Sequence, residues 1–127
     1  MTYLADTHAL IWHAESPERL SPAARAVMDD SQVRVLFSIA TVWEMAIKIS
    51  LQKLRIEGSV SDFAYAQQRK GFELLPIRLP QLVRVAALEL HHRDPFDRML
   101  IAQALEEDLQ LITADPTFGK YPIGILW

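Results

Sequence analysis

The predicted fold class is α/β, with a mostly parallel, five-stranded sheet and helices over both faces. Three observations predict it. Strand-like and helix-like stretches alternate along the chain. The strand-like stretches are short and apolar throughout, without the in–out alternation of a sheet that has one wet face. The chain has 127 residues, 50% hydrophobic and 23% charged. That is one domain's worth, residues 1–127, and enough to bury a core without covalent staples.

Thr2 to Ala5 reads as a buried first strand, and His8 to Glu15 as the helix after it. Ser21-Pro22 is a cap and first-turn pair that opens a helix to about Asp30. Val33 to Phe37 is the second strand, and Ser38 caps a long helical run from Ile39 to about Lys53. Ser61 or Asp62 opens another helix, which Gly71 ends. Phe72 to Pro76 is the third strand. Leu79-Pro80 starts a helix through about Leu90, and Asp94-Pro95 one through about Asp108. Leu109 to Thr113 and Ile123 to Trp127 complete the strand set.

Composition removes several function classes. Cys is absent, which excludes a disulfide framework, a thiolate zinc site, an iron–sulfur cluster and a cysteine nucleophile. The four glycines, Gly58, Gly71, Gly119 and Gly124, are too scattered for a P-loop or a dinucleotide fingerprint. Thirteen basic and sixteen acidic side chains give a net charge of −3, which argues against coating nucleic acid by bulk charge. No signal peptide or membrane span is read, since the most apolar stretch, Val35 to Leu51, is broken by Glu44 and Lys48. A cytoplasmic protein is expected. His8 and His13 do not share a helix face, so no zinc pair is expected, and no nucleophile elbow surrounds Ser38.

In open α/β sheets ligands sit outside the carboxyl ends of the strands. Four acids fall there. Asp6 follows the first strand and Asp115 the fourth; Glu44 and Asp97 lie in the opening turns of helices. Two carboxylates about 5 Å apart repel by roughly 3 kcal/mol at an effective dielectric near 20. A shared pocket therefore calls for a hard divalent cation, Mg2+ or Mn2+, since zinc would want nitrogen or sulfur ligands. Plainer roles stand beside this one. Asp6 and Thr7 cap a helix; Glu44 pairs with Lys48 on a solvated stripe with Thr41; Asp94 and Asp97 resemble a capping box; Asp115-Pro116 is a capped turn.

Four segments in order carry a family resemblance: Tyr-Leu-Ala-Asp-Thr-His-Ala-Leu (3–10), Phe-Ser-Ile-Ala-Thr-Val-Trp-Glu (37–44), Asp-Pro-Phe-Asp-Arg-Met-Leu-Ile-Ala-Gln-Ala (94–104) and Leu-Ile-Thr-Ala-Asp (111–115). The chain resembles the PIN-domain nucleases, and within them the VapC-type toxins of toxin–antitoxin pairs. The resemblance implies a three-layer α/β/α sandwich and metal-dependent endonucleolytic cleavage of RNA. Asp6, Asp97 and Asp115 would hold the metal or its waters, and Glu44 would bind it or orient the attacking water. Thr7, Ser38 and Thr113 match polar positions that orient water or phosphate, and Asp94 is the cap beside them. His8 departs from the Asn or Ser of many members. A cognate VapB-like antitoxin and a homodimer are implied partners.

Arg93 and Arg98 flank the acids and are candidate phosphate contacts, with a plain surface role as the alternative. The neighbouring pair His91 and His92 is read as either an RNA contact or plain solvated loop residues. Apolar residues between Leu51 and Ala66 (Leu54, Ile56, Val60, Phe63, Tyr65) suggest either a docking groove or core packing. Two other functions compete with the nuclease. One is a receiver-like phosphoacceptor domain, which would need an acidic pair after the first strand and an acid after the third. The other is a catalytically silent binding module on the same fold.

Overall fold

The computed structural model describes residues 1–127. The elements run β1 (Thr2–Ala5), α1 (Thr7–Glu15), a 3-10 turn (Pro17–Arg19), α2 (Pro22–Asp29), β2 (Arg34–Ser38), α3 (Ile39–Ser50), α4 (Val60–Arg69), β3 (Glu73–Leu75), α5 (Leu79–Ala87), α6 (Pro95–Glu106), β4 (Gln110–Ile112), a second 3-10 turn (Pro116–Lys120) and β5 (Ile125–Leu126). Every predicted strand and helix is present. The ends differ for local reasons. α3 stops at Ser50 because Gln52 turns left-handed (φ 59°), and α6 stops before Asp108 (φ 54°) for the same reason. The cap of α4 is Ser59, not Ser61 or Asp62. Its hydroxyl accepts from the Asp62 N–H at 3.1 Å while Asp62 accepts from the Ser59 N–H at 3.1 Å. Gly71, at φ +99°, ends that helix as expected.

The sheet has the order β3-β2-β1-β4-β5, and every neighbouring pair is parallel. Winding proceeds outward from β1 in one direction through β2 and β3, then in the other through β4 and β5. The switch point lies between β1 and β4, where a ligand crevice forms in this architecture. A receiver-type sheet runs 2-1-3-4-5. Here β2 separates β1 from β3, which overturns the receiver alternative.

Two cores lie on the two faces of the sheet, which makes the fold a three-layer sandwich. Ala5, Val35, Phe37 and Ile112 point to one face and meet Ala9 and Leu10 of α1, Ala24 and Met28 of α2, Met45 of α3 and Phe63 of α4. Leu4, Leu36 and Leu111 point to the other and meet Leu100, Ile101 and Ala104 of α6. Leu54 and Ile56 pack onto the first core beside Phe63, so core packing accounts for these three; Tyr65 remains exposed. No helix is long and apolar enough to cross a membrane.

The register sets the site. Ala5 pairs with Phe37 on one side and Ile112 on the other. The next residues, Ser38, Asp6 and Thr113, therefore stand abreast at the carboxyl edge, all buried.

α5 is tied to α6 through a buried amide. Gln81 Oε1 accepts from the Arg78 N–H at 2.9 Å and from Gln103 Nε2 at 3.1 Å, and Gln81 Nε2 donates to Glu107 at 3.0 Å. Gln81→Leu would strand those partners. It is expected to lower unfolding free energy by about 1–3 kcal/mol in urea denaturation, with the acidic crevice left intact.

Candidate functional site

Asp6 caps α1, accepting from the Ala9 N–H at 2.8 Å, so its plain capping role is real. Its carboxyl also sits at the switch point. Burial pushes its pKa up, and the Glu44 charge adds to this. The Thr113 hydroxyl, the Ala9 N–H and His8 offset part of the rise.

Glu44 does pair with Lys48, at 2.6 Å, as the spacing suggests. The stripe is not solvated, however, because Glu44 is only 7% exposed. Its other oxygen accepts from the Thr7 hydroxyl at 2.7 Å, and Thr7 shares a hydrogen bond with Thr41 at 3.1 Å. Both carboxylate oxygens of Glu44 are thus held. Ser38 caps α3, its hydroxyl accepting from the Ala40 N–H at 3.0 Å.

At the start of α6, Asp94 accepts from the N–H groups of Phe96 (2.8 Å) and Asp97 (3.1 Å). No capping box forms, because the Asp97 carboxyl makes no return bond to Asp94. Its pKa is pushed up to about 7, first by burial and then by the charges of Asp94, Glu44, Asp6 and Asp115. Those four charges all bear on Asp97. Asp115 caps the second 3-10 turn, accepting from the Thr117 N–H at 2.9 Å, and its own N–H donates to Thr113 Oγ1 at 3.0 Å. Burial works to raise its pKa, but hydrogen bonds from Thr117 and His92 outweigh it and hold the carboxyl below its ordinary value.

A model of the PIN domain matches residues 3–124. The chain belongs to the PIN domain family. Solved structures share this PIN fold nearly end to end. A chain of VapBC2 from Rickettsia felis, bound to a DNA fragment from their promoter, superposes with a TM-score of 0.72 at 11% identity, covering 99% of this chain and 98% of that one. FitAcB from Neisseria gonorrhoeae gives 0.65 at 20% identity, with 100% and 97% covered. A toxin-antitoxin complex from Klebsiella pneumoniae gives 0.60 at 19%, with 98% and 96% covered. No curated protein matches the sequence at a meaningful level.

The PIN crevice of this chain holds one member that sequence reasoning missed. His92 is buried, not solvated. Its ring lies 4.5 Å from that of Phe118 and 5.7 Å from that of Tyr121, and its Nε2 is 3.3 Å from an Asp115 oxygen. Candidate ligand atoms of His92, Asp97 and Asp115 lie within 4.8 Å of one another, a group that could hold a metal ion. The Tyr121 hydroxyl fixes this loop: it accepts from the N–H groups of His91 (3.0 Å) and His92 (2.9 Å) and donates to the Glu89 carbonyl (3.0 Å). His91 itself pairs with Glu89.

Arg98 has another partner set than the phosphate expected of it. Its guanidinium donates to the carbonyls of Val85, Leu88, Glu89 and His92 at 3.0–3.4 Å, closing the end of α5 and the loop beyond. It is a brace for the loop that carries His92. Arg93 is exposed.

A carboxyl whose pKa is higher folded than unfolded binds its proton more tightly in the folded chain. Its contribution to stability is full below the ordinary value of 3.8 and is lost as pH rises through about 7. Asp97→Asn removes that loss. In chelator it is expected to melt higher than the parent at about pH 8, and the gap is expected to close toward about pH 4 in thermal denaturation.

Proposed function

We propose that this PIN domain is a divalent-metal-dependent endoribonuclease, the VapC-type toxin of a toxin–antitoxin pair working in the cytoplasm. One observation carries the proposal: the Asp97 carboxyl has no hydrogen-bond partner and its pKa is pushed up to about 7, in a crevice where the carboxyls of three other acids have partners. A fold that retains such a group without neutralising it is suited to receive a cation there.

Asp6, Asp97 and Asp115 would hold the ion, and the predominance of carboxylates favours Mg2+ or Mn2+. When bound, the ion supplies a Lewis acid for a phosphoryl oxygen and a water acidified enough to attack a phosphodiester. Glu44 is pinned by Thr7 and Lys48, which suits it to orienting that water rather than to ligating the ion. His92, with its Nε2 3.3 Å from an Asp115 oxygen, would orient that carboxylate. Thr113 braces both Asp6 and Asp115, while Ser38 and Asp94 fix the helix starts from which Glu44 and Asp97 project. Arg93, exposed and next to Asp94 in the chain, would be the cation to meet phosphate.

RNA as substrate and a VapB-like antitoxin as partner rest on the family and on the assemblies that the similar structures are named for. For a homodimer, the exposed Leu79, Leu82 and Val83 of α5 offer an apolar face.

The purified protein is expected to cut structured RNA internally in millimolar magnesium and to be silent in chelator. Asp6→Asn and Asp97→Asn are each expected to lower the rate at least about a hundredfold. Cleavage that survives both substitutions removes these residues from the mechanism. No cleavage by the parent at all supports the silent binding module. Magnesium at about a hundredfold excess over its Kd should add about 2.7 kcal/mol of stability to the parent and little to Asp97→Asn.

A further inference from the structure

Beside the acidic crevice, between α1 and α3, lies a cavity of about 310 Å³ that shares Thr7 and Lys48 with it. Its charge is opposite to that of the crevice. Arg19 and Lys53 line it against one carboxylate, Glu15, and Lys48 lines it too while paired with Glu44 at 2.6 Å. The cavity also has an ordered aromatic wall. His8 stacks on Trp12 with ring centroids 5.5 Å apart and planes 21° apart. The Arg19 guanidinium stands 4.3 Å from the Trp12 ring, and Trp127 leans on the same indole at 5.9 Å. Trp12 is thereby fixed, and it fixes His8, which is exposed. His8 is also two residues along the chain from Asp6, the first acid of the crevice. The imidazole therefore stands at the junction of the acidic crevice and the basic cavity.

We propose that this cavity is a nucleotide subsite, in which single-stranded RNA places the base next to the scissile phosphodiester on His8 and its phosphates against Arg19 and Lys53. The nuclease reading supplies the scissile bond; the cavity's chemistry stands apart from it. Carboxylates repel a polyanion, so a chain that is to be cut at the acids must be held by cations close by. The volume lies at the lower end of small-ligand pockets, about 300–1,000 Å³, and is suited to one nucleotide rather than a folded domain. A planar, pre-stacked column selects a π-faced ligand over an acidic peptide of equal charge. Stacking of this kind accepts any base, so the subsite tightens binding without reading sequence.

The test uses the full chain and a fluorescein-labelled single-stranded RNA of about ten nucleotides. Binding is read by anisotropy in chelator, where metal-dependent cleavage cannot run. His8→Ala and Lys53→Ala change exposed side chains, and melting curves check that both fold. Each is expected to raise Kd about tenfold, and polyuridylate but not polyglutamate should displace the labelled RNA. In magnesium, the same variants should raise KM by a similar factor and leave kcat within about twofold. Unchanged Kd in both variants overturns the subsite, as does displacement by polyglutamate equal to that by polyuridylate. RNA binding that depends on His8 and Lys53, without cleavage in magnesium, supports the subsite and overturns the nuclease reading alone. Cleavage with KM unchanged in both variants does the reverse.

Discussion

Mutual repulsion among carboxylates at the switch point is the constraint around which this structure is arranged. Asp6, Glu44, Asp97 and Asp115 come from four different segments, and the charges of the other three bear on Asp97 across a crevice in which Asp6 and Glu44 are buried and Asp97 and Asp115 are partly open. Three of them are stabilised locally. Asp6 has the Ala9 N–H and Thr113, Glu44 has Thr7 and Lys48, and Asp115 has Thr117 and His92. Asp97 has none of this, so the unrelieved repulsion is concentrated there. Burial raises the carboxyls of Asp6 and Asp97 while hydrogen bonds hold that of Asp115 below its ordinary value, so acids of one crevice are pushed in opposite directions.

The backbone makes this arrangement tolerable. Asp6, Asp94 and Asp115 are all caps, each accepting from N–H groups that would otherwise lack partners. The helix starts facing the crevice present partial positive charge to it. Parallel pairing delivers those starts to one edge of the sheet, because every connection from β1, β2 and β4 leaves from the same end. The capping roles of Asp6 and Asp115 therefore do not compete with the metal-binding roles proposed for them, because the cap fixes the carboxylate at the helix or turn start. The same geometry explains why the basic cavity lies where it does. Lys48 neutralises Glu44 from the cavity side, so the acidic crevice and the cationic groove share a wall.

What could be read in the sequence was whatever depends on local pattern. Asp6 and Asp115 follow short apolar runs, so their place at the strand ends could be inferred. Ser21-Pro22, Leu79-Pro80 and Asp94-Pro95 mark helix starts by chemistry that acts within four residues. The i,i+4 pairing of Glu44 and Lys48 was equally visible. Its burial was not, because that depends on Thr7 from a different helix, 37 residues away. His92 was hidden for the same reason: its environment is made by Phe118 and Tyr121, more than twenty residues later, and nothing near position 92 signals burial. Arg98 shows the converse. Its place next to Asp97 suggested phosphate, whereas its long side chain reaches back to the end of α5. Ser59 was passed over as a cap because Ser61 and Asp62 compete for the role, and only the reciprocal bond with Asp62 decides between them.

The central claim is that burial, and after it the charges of the acidic neighbours, push the Asp97 pKa up to about 7 until a cation relieves it. The carboxyl carbon shift of Asp97, followed by NMR across pH in chelated protein and again in magnesium, tests this directly. The account predicts a titration near 7 without metal, moved down by more than about one unit when magnesium is present. A carboxyl that titrates at its ordinary value of 3.8 in chelator, and does not move with magnesium, would contradict it.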